Sequence, residues 1–198
     1  MSVRWLAPLG ALFLTHTAFA QCELGWFDAD DMPDSAQFGV SVAVDGELAA
    51  VGSWFFADDG SGTGSVRLFR RAGVLWLPEA ILTEPSGADP EAFSSLFGNR
   101  LEVSGARVIV SAAGLSGVGS DAGCAHVFRR GAGGWFLEGT LFAATPAVHD
   151  AFGSYVALDG DLALVAGAGY PSALALPRVF RFRAGAWRGA GPVAVPGA

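Results

Sequence analysis

Residues 38–53 have the sequence FGVSVAVDGELAAVGS, and this stretch decides most of the fold. After the Phe-Gly pair, Ser41–Val44 alternate between polar and apolar side chains, as in a strand with one buried face. Asp45-Gly46 predicts a two-residue hairpin turn, because Asp-Gly pairs adopt the positive φ values that such turns need. The apolar run Leu48–Val51 then predicts a strand that is buried on both faces.

The same unit occurs three times along the chain. In each copy a turn pair stands seven residues after the Phe of Phe-Gly, and an apolar run, a Gly/Ser-rich stretch and a Phe-Arg pair follow. A Trp stands seven residues beyond this second Phe in every copy. The anchor residues are Phe38, Asp45-Gly46, Phe69 and Trp76; Phe97, Ser104-Gly105, Phe128 and Trp135; and Phe152, Asp159-Gly160, Phe180 and Trp187. Matching offsets at so many anchors indicate an internal repeat.

Each copy predicts four short antiparallel strands. The third strand places Val66 and Leu68 on one side and Arg67 and Phe69 on the other, and the fourth strand runs through the Trp. Sustained helical periodicity does not occur after residue 20. Four short strands in a repeat of this size are typical of one blade of a β-propeller. The predicted fold class is therefore all-β, a β-propeller-like fold of three four-stranded antiparallel blades.

The repeat boundaries divide the chain into segments. Residues 1–20 are predicted to be a signal peptide, and residues 21–37 an N-terminal outer strand with an acidic linker. The predicted blades are residues 38–96, 97–151 and 152–198. Propellers typically have about four to eight blades, so three blades leave two interpretations open. The chain is either an incomplete propeller or part of a ring that several chains complete.

The pattern of residues 38–53, followed by Gly-Ser-Val-Arg-Leu-Phe at residues 64–69, resembles the FG-GAP repeat of integrin α-subunit propellers. It is more similar still to the repeats of bacterial secreted FG-GAP proteins. Their N-terminal outer strand and Asp-rich linker have a counterpart in residues 25–35. The resemblance extends from residue 23 to about residue 190. It implies a β-propeller outside the cell, commonly with a role in adhesion or recognition.

Composition excludes several other classes of protein. The chain of 198 residues is 52% hydrophobic and has a net charge of −7. The high apolar fraction argues against intrinsic disorder, and the negative charge argues against nucleic-acid binding. Abundant Gly and aromatic residues argue against a coiled coil. Two cysteines are too few for a dense disulfide scaffold.

Residues 1–20 have the features of a cleavable export signal. Arg4 precedes an apolar stretch from Trp5 to Leu14, and Ala18-Phe19-Ala20 fits the small-x-small cleavage pattern. The stretch is too short to span a membrane, so we expect a secreted or cell-surface protein. In an oxidising compartment a disulfide between Cys22 and Cys124 is allowed, provided that the fold brings their Cα atoms within about 7 Å.

The sequence contains no catalytic or metal-binding constellation, and we expect neither an enzyme nor a cofactor. His126 is predicted to face solvent on a strand, and His149 to lie in a linker. Integrin-type repeats often carry a calcium loop, but Val44-Asp45-Gly46-Glu47 is too short to supply the six to eight oxygen ligands that calcium takes. The acidic linker residues are predicted to be solvated: Asp28, Asp30, Asp31 and Asp34.

The long second-to-third-strand loops and the inter-blade linkers are predicted to share one rim, where a ligand would bind. Trp54, Phe55 and Phe56 lie in the first loop, where they either pack over a neighbouring blade or form a contact patch. The predicted function is a secreted non-enzymatic recognition, adhesion or scaffold module. A propeller-type hydrolase and a truncated remnant without its own activity are the alternatives. A protein or glycan ligand and self-association through open blade edges are the expected partners.

Overall fold

The computed structural model describes residues 27, 36–54, 63–85, 95–114, 121–169 and 177–190. Within these ranges the chain forms twelve strands and no α-helix. The strands are β1 (Ser41–Asp45), β2 (Leu48–Ser53), β3 (Ser65–Ala72), β4 (Leu75–Thr83), β5 (Leu101–Ser104), β6 (Arg107–Ala112), β7 (Cys124–Gly131), β8 (Gly134–Leu141), β9 (Phe152–Asp159), β10 (Leu162–Gly167), β11 (Arg178–Arg183) and β12 (Ala186–Gly189).

These strands form three four-stranded antiparallel sheets, in which each strand pairs with its neighbours in sequence. The sheets are called blade 1 (β1–β4), blade 2 (β5–β8) and blade 3 (β9–β12). The predicted all-β fold of three four-stranded antiparallel blades is confirmed. In blade 1, Val42 pairs with Val51 and Asp45 pairs with Leu48, so a two-residue turn forms as predicted. Its residues are Gly46 and Glu47, one position later than the predicted Asp45-Gly46 pair, because Asp45 is still paired in the strand.

Consecutive blades stack on each other in the same orientation. At one end, the amide of Phe97 donates to the carbonyl of Thr63 at 3.2 Å, and the amide of Phe152 donates to the carbonyl of Ala122 at 2.9 Å. At the opposite end, the amide of Gly105 donates to Oδ2 of Asp45 at 2.7 Å. The two rims of the stack are therefore each continuous from blade to blade.

The apolar cores lie between the blades. Leu68 of blade 1 packs in one cluster with Phe97 and Val110 of blade 2, and all three are buried. Ile109 of blade 2 packs in a second cluster with Phe152 of blade 3. Because Val110 and Ile109 are neighbours on β6, alternate residues of this strand enter different cores. This arrangement explains why the second strand of a blade is nearly all apolar.

Glycine is required where the backbones of two blades meet. Gly64 and Gly123 have φ values of +101° and +74°. A Cβ atom on Gly64 would lie 2.1 Å from the carbonyl oxygen of Phe97, and one on Gly123 would lie 2.2 Å from that of Phe152. A side chain at either position would push the Phe-Gly pair of the next blade away. The Phe97 and Phe152 rings can therefore enter the space between the blades, where both are buried.

Candidate functional site

The strand directions separate the connections between strands into two rims. The turn rim carries the two-residue turns 46–47, 73–74, 105–106, 132–133, 160–161 and 184–185. The loop rim carries the longer connections 54–64, 84–100, 113–123, 142–151 and 168–177. This division agrees with the sequence prediction that loops and linkers share one rim. The loop rim is the part of the framework with room for a binding site.

Trp54 stands on the loop rim directly after β2. Its indole Nε1 donates a hydrogen bond to Oε1 of Gln37, and the side chain is half-buried. Gln37 precedes the Phe-Gly pair of the same blade and has a φ of +53°, so the indole is held against the start of blade 1. Phe55 and Phe56 lie outside the described residues. The predicted three-residue contact patch stays a prediction.

A second polar pair lies on the loop rim between blades 2 and 3. Nδ1 of His149 is 3.2 Å from Oδ2 of Asp121, and both side chains are about half exposed. His149 is therefore in a surface linker, as expected. Its neighbour Asp150 is buried, and Oδ2 of Asp150 accepts a hydrogen bond from the amide of Ala147 at 2.7 Å. Asp150 thus shapes the linker.

His126 was predicted to face solvent, and this prediction is wrong. The ring is buried in the joint between blades 1 and 2. Its Nε2 lies 3.0 Å from Oε1 of Glu84, and its Nδ1 lies 3.0 Å from Oγ1 of Thr140. Glu84 follows the last strand of blade 1 and reaches across the joint. This contact between blades could not be inferred from the position of His126 on its own strand.

Cys124 completes this buried polar cluster. Its Sγ lies 3.4 Å from the same Nε2 of His126. Burial and the nearby charge of Glu84 raise the pKa of the thiol, so the thiol stays protonated at neutral pH. A protonated and inaccessible thiol is unsuited to nucleophilic catalysis. Cys124 is a free cysteine in the structure, and Cys22 lies outside the described residues, so the disulfide stays a prediction.

The joint between blades 1 and 2 also contains a carboxylate that binds groups from both blades. Oε2 of Glu79 on β4 accepts from Nε of Arg70 in its own blade at 2.5 Å. Its Oε1 accepts from Nε1 of Trp135 at 3.0 Å and from Nε of Arg130, both in blade 2. Burial acts to raise the pKa of Glu79, but the bonds from Arg70, Trp135 and Arg130 outweigh it and lower the pKa.

Glu138 repeats this arrangement at the next joint. Its carboxylate accepts two bonds from Arg107, at 2.6 and 3.0 Å, and one from Nε1 of Trp187 in blade 3 at 2.9 Å. The guanidinium of Arg107 also lies 4.6 Å from the ring centroid of Phe182 in blade 3. Burial acts to raise the pKa of Glu138, but the bonds from Arg107 and Trp187 and the charge of Arg129 lower it.

Within the described ranges, no group of three or more His, Cys, Asp and Glu side chains could hold a metal ion. Asp45, which stands where integrin-type repeats place a calcium loop, accepts the amide of Gly105 instead. The acidic linker residues lie outside the described residues: Asp28, Asp30, Asp31 and Asp34.

Comparison with known families agrees with the blade architecture. Residues 27–69, which include β1, β2 and most of β3, match the FG-GAP repeat family. This segment of the chain is an FG-GAP repeat. No curated protein matches the chain. In the parts of the chain that the structure describes, no helix is long and apolar enough to cross a membrane.

The sequence patterns did not reveal the two glutamates that join the blades. A usable signal was present, because Glu79 and Glu138 each stand three residues after the repeated Trp. The offset alone does not reveal the role, since each glutamate binds the Trp of the following blade and not its own. The corresponding position in blade 3 is Ala190, which lies three residues after Trp187.

Proposed function

We propose that the chain is a secreted, non-enzymatic recognition module whose loop rim binds a protein or glycan outside the cell. The observation that carries this proposal is the division of the connections between two rims. Among the connections between the twelve described strands, every two-residue turn lies on one rim and every longer connection lies on the other. Longer loops on one side of a packed β framework are a common location for binding surfaces. FG-GAP repeats are typical of extracellular or surface proteins, which supports the proposed location.

The contacts of the reactive side chains support a role without catalysis. The thiol of Cys124 and the ring of His126 are buried in a blade joint. Glu79 and Glu138 are bound by arginine and tryptophan donors on both sides of a joint. These groups are engaged in holding the blades together. Of the described carboxylates on the loop rim, Asp121 is about half exposed and is paired with His149.

Export is tested by expressing the full chain in a bacterial host and sequencing the N-terminus of the exported protein. We expect the mature chain to begin at Gln21, after the Ala18-Phe19-Ala20 motif. An Ala18→Leu variant should block cleavage, because the cleavage site accepts small residues at that position. A chain that stays inside the cell and retains Met1 would contradict the export part of the proposal.

Recognition is tested with the labelled chain on an array of glycans and extracellular proteins, together with turnover assays on generic ester, glycoside and peptide substrates. We expect selective binding without turnover. Trp54→Ala should weaken the binding, while Val148→Ala, which removes an exposed apolar side chain elsewhere on the loop rim, should not. Turnover that Asp121→Asn abolishes would favour a hydrolase and refute the proposed function.

A further inference from the structure

Blade 1 exposes an apolar face that the other blades bury. In blades 2 and 3, we call the face that packs on the preceding blade the front face and the opposite face the back face. The same strand positions define the two faces of blade 1. On the front face of blade 1, Val42 and Val44 are 67% and 65% exposed. Their counterparts in blade 2, Leu101 and Val103, are 7% and 5% exposed. The same strand positions are therefore covered in one blade and open in the other.

The open part of this front face forms an apolar hollow of about 400 Å³. The hollow is lined by Val42 and Val44 on β1, by Ala49 and Val51 on β2, and by Phe27 and Trp76. Its lining contains no charged side chain. An apolar hollow on a blade-packing face suits another blade better than it suits a charged or strongly polar ligand.

The backbone of blade 1 also has the conformation found at the inner joints, which are the interfaces between blades 1 and 2 and between blades 2 and 3. Gly98 and Gly153 have φ values of +85° and +98°, and their Cβ positions would lie 2.7 and 2.0 Å from carbonyl oxygens of the preceding blade. Gly39 has a φ of +91°, yet no atom lies within 4 Å of its Cβ position. The Phe38-Gly39 pair thus has the positive-φ backbone geometry of the inner joints, although no described blade packs against it.

Blade 3 exposes the complementary surface on its back face. Leu164 is 44% exposed there, whereas its counterpart Ile109 on the back face of blade 2 is fully buried. Tyr155 lies on the same face and is also exposed. A back face of this kind covers the front face at both inner joints. One end of the three-blade stack therefore presents a front face, and the other end presents a back face.

The turn rim continues this complementarity. At the inner joints, the amides of Gly105 and Gly160 donate to the side chains of Asp45 and Ser104 in the preceding blade. Asp159 occupies the same acceptor position at the end of β9, and it is exposed. Gly46 occupies the matching donor position in blade 1 and is also exposed. The two ends of the stack have the groups for one more hydrogen bond of this type.

We propose that a second copy of the chain covers both faces. The back face of blade 3 in one copy packs on the front face of blade 1 in the other, and two such joints close a ring of six blades. Head-to-tail contacts of this kind form closed rings when the rotation between copies allows it. Six blades lie within the range of about four to eight that propellers have. The proposal does not depend on the recognition function.

The joint between copies should be weaker than the inner joints. At the inner joints, Leu82 and Leu141 of the preceding blade pack in the cluster with the Phe and Trp of the next blade. Phe27 takes this place against Phe69 and Trp76 in blade 1. Blade 3, however, has Ala190 where the preceding blades have a glutamate. The joint between copies therefore lacks the hydrogen bond that an indole donates to a carboxylate at each inner joint.

Sedimentation of the purified chain over a concentration series tests the proposal. We expect a reversible equilibrium between one and two copies. Val44→Asp and Leu164→Asp each place a charge in the joint and should weaken pairing by at least about tenfold. Val74→Asp is the matched control, because Val74 is exposed in a turn away from both faces. Circular dichroism should show that all three variants fold.

Mixing the two disruptive variants distinguishes head-to-tail docking from other contacts. The Val44→Asp chain keeps an intact back face, and the Leu164→Asp chain keeps an intact front face. One undamaged joint can therefore form between them, and the mixture should pair more tightly than either variant does alone. If the mixture stays monomeric, docking is not front to back and the proposal fails.

A gain of affinity provides the complementary test. Ala190→Glu supplies the missing carboxylate opposite Trp76 and should tighten pairing by about tenfold, the effect of one hydrogen bond to a charged group. Adding Trp76→Phe to this variant should remove the gain, since phenylalanine has no indole donor. A wild-type chain that stays monomeric at every concentration would overturn the proposed closed pair. A wild-type chain that forms a series of progressively larger oligomers would also overturn it.

Discussion

Glu138 offers the sharpest test of how the blades are joined. Replacing it with glutamine keeps the size of the side chain but removes the charge. The variant turns one carboxylate oxygen into an amide donor that faces the guanidinium of Arg107. Because Glu138 is almost fully buried and binds both Arg107 and Trp187, the loss affects two neighbouring blades at once.

The expected magnitude follows from these contacts. A hydrogen bond to a charged group contributes about 1.5–3 kcal/mol, and disrupting a buried ion pair costs about 3–5 kcal/mol. Part of the carboxylate's acceptor capacity survives in glutamine, so we expect Glu138→Gln to lower the free energy of unfolding by about 3 kcal/mol. For a chain of this size the melting temperature should fall by about 6–12 °C.

Urea and thermal unfolding, followed by circular dichroism, measure this loss. Glu102→Gln is the matched control, since Glu102 is exposed on β5 of the same blade and should change stability by less than about 0.5 kcal/mol. A double-mutant cycle with Trp187→Phe should show a coupling of about 1–2 kcal/mol. If Glu138→Gln unfolds like Glu102→Gln, or if the coupling is zero, the glutamate does not join the blades.

Three further predictions concern acid, packing and thiol chemistry. In the folded state, Glu79 and Glu138 have pKa values below the ordinary 4.5. The two carboxylates therefore stabilise the fold fully above pH 4.5, and this stabilisation is lost as the pH falls through the lower folded-state pKa values. Glu138→Gln should lose less stability on acidification than the wild type, and parallel acid-unfolding curves would contradict this. Gly123→Ala should lower the free energy of urea unfolding by about 3–5 kcal/mol, because the new Cβ would strike the backbone of blade 3. Gly160 also has a positive φ but has open space around it, so Gly160→Ala should lower this free energy by about 1–2 kcal/mol. Equal losses would refute the close approach of the backbones at Gly123. Cys124 should react with a disulfide reagent at least about a hundredfold faster in denaturant than in the native state. Peptide mass spectrometry identifies the labelled cysteine. Rapid labelling of Cys124 in the native state would show that its thiol is accessible, contrary to the structure.

The local features of the fold could be predicted from the sequence. The Asp45-Gly46 pair indicates a hairpin turn, and the alternation of Val66 and Leu68 with Arg67 and Phe69 indicates a strand with two different faces. Both signals depend on residues close together in the chain. Threefold repetition of the pattern then gave the number of blades, because each copy carries the same turn and strand signals.

The contacts between blades could not be predicted in the same way. His126 occupies the position of Arg67 in the preceding repeat, which suggested a solvent-facing side chain. Its burial depends on Glu84, which is 42 residues away and belongs to the neighbouring blade. Glu79 and Trp135 are likewise 56 residues apart. Contacts over such separations are set by how blades stack, and the pattern within one repeat does not contain that information.

Nuclear Overhauser spectroscopy of the folded chain tests the stacking of the blades most directly. The structure places a methyl group of Val66 in blade 1 against Gly98 in blade 2, and the ring of Trp187 in blade 3 against Gly139 in blade 2. We predict cross-peaks from the α-protons of Gly98 to the Val66 methyls and from those of Gly139 to the Trp187 ring. A spectrum that shows the expected cross-strand contacts within each sheet, but neither of these contacts between sheets, would contradict the account.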